Sequence, residues 1–250
     1  MEEVNTNYWE VFGSHLANKV NLPDITNALD VGTGWGDCLI PLAKRIGSKG
    51  EIFGIDIDIE CVHKARSEII KHSLTNARVE FMDASELKFQ NNYFDVITCG
   101  FLGFDDCYDF EKNRFHKDQK NPIMKELFRV LKPHGEIAFS TWKLQEDFEI
   151  VAEMTKNSLK SLGYSKEHEQ GFQFLLKNAG FSKIQIEVND YNQIYNSLDD
   201  WWKTNALISN NKIARKDEYD TYLDKYIHNG KLYFKKSVIY IKAKKEKISE

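Results

Sequence analysis

An α/β protein on a doubly wound, mostly parallel sheet is what the sequence predicts, and three observations carry the prediction. Five short β-prone runs, at 27–31, 51–56, 78–82, 93–98 and 136–141, are separated mostly by stretches with helical periodicity. The first run breaks at "ALDVGTGWGDCL", residues 28–39, into a glycine-rich turn before helix-forming residues resume. Asp30, Asp56 and Asp83 then mark the ends of the first three strands, and Asp37 opens the first helix, so four carboxylates gather at one edge of the sheet.

Taken in order, a helix comes first, because Tyr8, Trp9, Phe12, Leu16 and Val20 recur at helical spacing before the sheet begins. It serves either as core cover or as a lid. Helices follow at about 36–46, 59–73 and 121–131, the second with Val62, Ala65 and Ile69 on one face. Pro41 falls in the first turns of its helix, where a missing N–H costs least. "LKPHGE" at 131–136 turns the third helix into the fifth strand through Pro133 and Gly135. Beyond it come a helix at about 147–162, a helix ending at "KNAGF" with Gly180 as the residue past its end, and a strand at 182–188. "SLDD" at 197–200 reads as a capping box for a helix carrying Trp201 and Trp202, and another helix covers 212–227. "KKSVIYIKAKK" alternates as a last strand.

Composition narrows the function classes. At 250 residues and 42% hydrophobic the chain is globular, and a formal charge of −4 gives no long-range field for nucleic acid. The one basic cluster is Lys242 to Lys247. The start "MEEVNTNYWEVF" lacks a signal-peptide core and no 18-residue apolar run occurs, so a cytoplasmic protein without membrane insertion is expected. Cys38, Cys61, Cys99 and Cys107 form no C-x-x-C pair, which favours buried or free thiols over zinc. "FDDCYDF" at 104–110 matches no standard metal loop and reads as a solvated acidic segment, so no metal is expected.

The glycine loop invites comparison with the dinucleotide fingerprint G-x-G-x-x-G, which seats a pyrophosphate on a helix N-terminus. Counting from Gly32 and Gly34, the third fingerprint position holds Asp37, whose carboxylate would repel phosphate. An anionic rim of Asp30, Asp37, Asp56 and Asp83 suits a ligand with an amine, a positive sulfonium and a ribose diol. Singly, each Asp is an ordinary cap or turn residue; their placement after consecutive strands is what carries weight.

With these residues in view, the sequence resembles the class I S-adenosylmethionine-dependent methyltransferases, most closely the ubiquinone/menaquinone-methyltransferase-like (type 11) branch. "LDVGTGWGD", "IFGIDID", "FMDASEL", "YFDVITC" and "ELFRVLKPHGEIAFS" match five motifs in family order, and the resemblance spans nearly the whole chain. It implies a Rossmann-like, seven-stranded, mostly parallel sheet whose last strand, about 236–243, runs antiparallel between its neighbours. It also implies one methyltransferase domain over 1–250, with 1–25 a helical cap or lid, 26–142 the cofactor-binding core, and 143–250 contributing to the acceptor site.

The same resemblance implies S-adenosyl-L-methionine as cofactor, with S-adenosyl-L-homocysteine as product. Asp30, Gly32, Thr33, Gly34, Trp35 and Gly36 would form the loop around its methionyl part, and the carbonyl near Cys99 would hold its amine. Asp56 would take the ribose diol, Ile57 would line the adenine, and Asp83 and Ala84 would bond its amino group and ring.

Methyl transfer from a sulfonium is an in-line displacement that asks mainly for alignment and exclusion of water. "CGFL" at 99–102 replaces the Asn- or Asp-Pro-Pro-aromatic motif of amide and nucleobase N-methyltransferases, and it supplies no magnesium-binding carboxylates. A small-molecule acceptor methylated at oxygen or carbon is the expectation. The segment 101–120, with Phe101, Phe104, Tyr108, Phe110, Phe115 and His116, is expected to overhang the acceptor, with His116 as candidate general base. Together with the N-terminal helix it would form the lid. Two other readings stand beside this one: a non-enzymatic S-adenosylmethionine-binding module, and an NAD-dependent oxidoreductase.

Overall fold

In a computed structural model of the chain, the structure describes residues 1–5, 7–104, 108–112, 114–116, 121–156, 167–205 and 217–246. In chain order the elements are β1 (Glu2–Val4), α1 (Tyr8–Lys19), β2 (Asn27–Val31), α2 (Leu39–Ile46), β3 (Glu51–Asp56), α3 (Ile59–Lys71), β4 (Ala77–Phe81), β5 (Phe94–Gly100), β6 (Tyr108–Asp109) and β7 (Arg114–Phe115). There follow α4 (Pro122–Val130), β8 (Leu131–Gln145), α5 (Glu146–Thr155), α6 (Glu169–Ala179), β9 (Phe181–Tyr195), α7 (Leu198–Asn205), α8 (Asp217–Leu223), β10 (Ile227–His228) and β11 (Lys231–Lys245).

The main sheet has the order β1-β9-β11-β8-β5-β2-β3-β4, with β10 on β11. Strands β4, β3, β2, β5 and β8 pair in parallel. The last strand lies between β8 and β9, as the family resemblance implies. Its direction is antiparallel: Ser182, early in β9, meets the Lys244 carbonyl late in β11, while Asp190, later in β9, meets Ser237, earlier in β11. The central strands are near-continuous apolar runs because helices cover both faces of a parallel sheet; Ala28, Leu29, Val31, Val96 and Ile97 are all fully buried.

Chain contacts divide the molecule into two compact units. The larger comprises Trp9–Thr141, Glu167–Glu187 and Ile239–Glu250, around a core that includes Leu29, Ile97, Leu127, Phe139, Phe172 and Ile239. The smaller comprises Met1–Tyr8, Trp142–Lys166 and Val188–Val238, around Ile150, Tyr195, Trp201, Trp202 and Phe234.

Local chemistry explains the helix boundaries. Asp58 caps α3 by accepting from the Glu60 N–H at 2.8 Å, and Asn121 caps α4 by accepting from the Met124 N–H at 3.0 Å, with Pro122 at the first helical position. Gly180 ends α6 with φ 96°, as its sequence position predicts. Before α7, Ser197 accepts from the Asp200 N–H while Asp200 accepts from the Asn196 N–H, the reciprocal bonding expected of "SLDD".

Several boundaries differ from the sequence reading. The helix expected from 36 begins at Leu39, because the loop turns once more at Gly36. The strands expected at 136–141, 182–188 and 236–243 are parts of 15-residue strands: the middle of β8, the first half of β9 and the second half of β11. The short strands β1, β6, β7 and β10 carry too few residues to show a period, and the sequence reading missed them. Residues 157–162 and 212–216 of two expected helices lie outside the described residues, as do Cys107, Lys247 and the middle of "FDDCYDF".

The aromatic segment after β5 departs most from expectation. Phe104, Tyr108 and Phe110 are buried, with Phe104 and Phe110 each 5.7 Å from the Phe172 ring on α6 and Phe115 5.8 Å from Phe174. These rings cover α6 and complete the core of the larger unit. Burying 150–250 Å² per ring outweighs leaving them over a solvent-filled cleft.

Candidate active site

The site begins at the carboxyl end of β2. Asp30 is 1% exposed and accepts hydrogen bonds from the Thr33 and Thr98 hydroxyls, both at 2.7 Å. Burial pushes its pKa up to about 6, opposed by these bonds and one from Cys38. The loop that follows turns left-handed at Gly32, Gly34 and Gly36. It closes on itself through Gly36 N–H to the Thr33 carbonyl at 2.9 Å.

Asp56 fastens this loop to the end of β3. One carboxylate oxygen accepts from the Gly34 N–H and the other from the Asp58 N–H, each at 2.9 Å. Each oxygen retains a further lone-pair direction. Gly34 has φ 54° and a Cβ there would meet nothing within 4 Å, so the loop presents bare backbone to open space.

Beside the loop lies a cavity of about 340 Å³. Its wall takes Asp30, Gly32, Thr33, Gly34, Trp35, Asp37 and Cys38 from the loop, Cys61 from α3, Gly100 and Phe101 from the end of β5, Ser140 from β8, and Trp9 and Gly13 from α1. Close approach of α1 depends on Gly13, where a Cβ would stand 2.2 Å from the Asp37 carbonyl oxygen. Trp9 meets the Phe101 ring edge-on at 5.0 Å. Phe101 adopts φ 53° and donates its N–H to the Ser140 carbonyl at 2.8 Å, the kind of strained backbone that clusters at functional sites. Burial, with Glu10 and Glu68 nearby, holds the Asp37 carboxyl above its usual range.

The structure thus brings Asp30, Gly32, Thr33, Gly34 and Trp35 together on one wall, with Asp56 bonded to it through Gly34. Gly36 packs against Ile40 beneath the loop, and Cys99 is buried one residue before Gly100. Ile57, 65% exposed, Asp83 and Ala84 lie outside the wall at the ends of β3 and β4. Asp83 accepts from the Ser85 N–H at 2.7 Å, which lowers its pKa. His116 is exposed at the end of β7 and is not part of the wall.

Sequence reasoning missed Gly13, Cys38, Cys61, Gly100 and Ser140 as wall residues. For Gly100 and Ser140 the available signal was their place at the ends of parallel strands; for Gly13 it was a glycine inside a helical period. No described cluster of three or more His, Cys, Asp or Glu side chains is placed to hold a metal ion. No described helix is long and apolar enough to cross a membrane.

This geometry, a glycine loop after one strand of a parallel sheet with an acid at the end of the neighbouring strand, is that of the nucleoside-cofactor-binding class of α/β proteins. Residues 23–171 match the family model described as a methyltransferase domain, and the chain belongs to that family.

A demethylmenaquinone methyltransferase of Listeria monocytogenes is 33% identical over 113 residues, 45% of this chain and 43% of that protein. One from Staphylococcus epidermidis is 32% identical over 126 residues, 50% and 47% of the respective chains. The matched stretch therefore spans about half the length of these relatives.

Among solved structures, the YcgJ protein from Bacillus subtilis has a TM-score of 0.62 at 20% identity, covering 95% of this chain and 99% of that one. Geranyl diphosphate methyltransferase in complex with SAM has a TM-score of 0.56 at 11% identity, covering 94% and 85%. The [4+2]-cyclase SpnF has a TM-score of 0.59 at 19% identity, covering 95% and 82%. At such identities these likenesses show the fold, and a cyclase among them means that fold alone does not select the reaction.

Proposed function

We propose that the chain is an S-adenosylmethionine-dependent methyltransferase that methylates a small molecule at oxygen or carbon. The observation that supports this best is the Asp56 carboxylate holding Gly34 at the rim of the cavity, because it sets bare loop backbone and an acid side by side. Family membership and the similarity to demethylmenaquinone methyltransferases support the same reading.

The residues present fit the cofactor. Space for a Cβ at Gly34 leaves room for close approach to the backbone, and Asp56 keeps lone pairs for a ribose diol. In this reading Gly32 to Gly36 and the carbonyl near Cys99 cradle the methionyl part, while Ile57, Asp83 and Ala84 take the adenine. When bound, the cofactor supplies an activated methyl group on a sulfonium. Trp9, Phe101 and Trp35 give the cavity wall its aromatic surface, and in this reading the loop fixes the line of approach. An apolar wall suits an apolar acceptor.

His116 supports no contact with the cavity, and His116→Ala is expected to retain turnover within about twofold, since an exposed side chain outside the wall removes no transition-state contact. Asp37 on the wall disfavours a nicotinamide dinucleotide, whose pyrophosphate would face a carboxylate. Formation of S-adenosylhomocysteine with a naphthoquinol acceptor tests the activity directly; binding without turnover on any acceptor would leave a binding module instead.

A further inference from the structure

Ser140 is a wall residue that the preceding reading does not use. Its side chain is 2% exposed, and among the described buried polar atoms of the wall its Oγ alone lacks a hydrogen-bond partner. The other buried polar side chains there answer one another, Thr33 bonding Asp30. Thr141, next along the strand and on its opposite face, gives its hydroxyl to the Glu167 carboxylate. An unpaired buried hydroxyl is costly, and strand ends with such groups point to a ligand that completes them.

Position gives the ligand's identity. Ser140 pairs with Gly100 across β5 and β8, and β5 separates β8 from β2. With strands spaced about 4.8 Å apart, Ser140 stands two strands, roughly 10 Å, from the glycine loop. The cofactor reading takes the ends of β2, β3 and β4 and, through the carbonyl near Cys99, the end of β5; Ser140, on β8, lies one strand beyond these, on the cavity wall with Phe101, whose ring Trp9 meets edge-on. Flat aromatic walls and a single hydroxyl select a flat apolar molecule bearing one oxygen.

We propose that Ser140 is an acceptor-binding residue whose hydroxyl hydrogen-bonds an oxygen of a flat, apolar acceptor. This rests on the methyltransferase reading, and the test separates the two. Protein saturated with S-adenosylhomocysteine is titrated with 1-naphthol and with naphthalene, which share a ring system and differ in the hydroxyl.

The wild-type protein prefers 1-naphthol by about fivefold or more, the worth of one neutral hydrogen bond. Ser140→Ala brings the two probes to within about twofold, keeps S-adenosylhomocysteine affinity within about threefold, and unfolds at no lower temperature than wild type, because no bond is lost on folding. An unchanged preference in Ser140→Ala, a wild type that shows no preference or binds neither probe, or a lower melting temperature of the variant overturns the proposal. A larger loss of S-adenosylhomocysteine affinity overturns it by moving Ser140 to the cofactor end. Wild-type protein that fails to bind S-adenosylhomocysteine removes the methyltransferase reading itself.

Discussion

Asp56 and Asp30 show how one residue type does two different jobs on neighbouring strands. Asp56 sits at a strand end with both oxygens accepting backbone N–H groups and room for more, so it organises the loop and remains available to a ligand. Asp56→Ala is expected to weaken S-adenosylhomocysteine binding tenfold or more, since charge-assisted bonds contribute about 1.5–3 kcal/mol each, with circular dichroism unchanged. Wild-type affinity in a folded variant would remove the assignment. Asp30 is sealed in.

Because its pKa is about 6 in the folded chain against an ordinary 3.8, the folded state holds a proton that the unfolded state has lost between those values. Stability contributed at this position is therefore present at low pH and falls as pH rises through 6, by on the order of 3 kcal/mol. Asp30→Asn removes that dependence. In urea unfolding, the variant should gain on wild type as pH goes from 4 to 7; curves that stay parallel would show that Asp30 is not buried as described.

At the scale of elements, α1 carries the sharpest physical lesson. The sequence left it open whether this helix is a lid or core cover. Phe12, Gly13, Leu16 and Ala17 are buried, and Gly13 lets the helix touch the Asp37 carbonyl. These contacts favour permanent cover, with Trp9 reaching the cavity from its first turn. Amide exchange along Phe12–Ala17 is accordingly expected to be slow both with and without S-adenosylhomocysteine; protection appearing only with ligand would restore the lid. Gly13→Ala should cost about 1–3 kcal/mol in chemical unfolding, because the added methyl must displace backbone.

The segment after β5 teaches the complementary point. Its aromatics were visible in the sequence, but their period gave no direction. Only α6, remote in sequence, shows that Phe104, Tyr108 and Phe110 face the core.

Across the whole molecule, the parallel half of the sheet was legible because each strand is a short apolar run punctuated by Gly or Asp. The loop residues were legible for the same reason, since their chemistry and their turn coincide in one stretch. What was not legible depends on partners far apart in the chain: the extensions of β8, β9 and β11 beyond their apolar centres, the close approach at Gly13, and the unpaired hydroxyl of Ser140. A serine ending an apolar strand looks like any other until the neighbouring strand and cavity are known.

The central claim, that the glycine loop and Asp56 hold a sulfur-bearing nucleoside instead of a dinucleotide, is tested most directly by calorimetric titration of the full chain with S-adenosylhomocysteine and, separately, with NADH. One-to-one binding of S-adenosylhomocysteine with no heat from NADH is the expected result; saturable NADH binding with S-adenosylhomocysteine silent would contradict it.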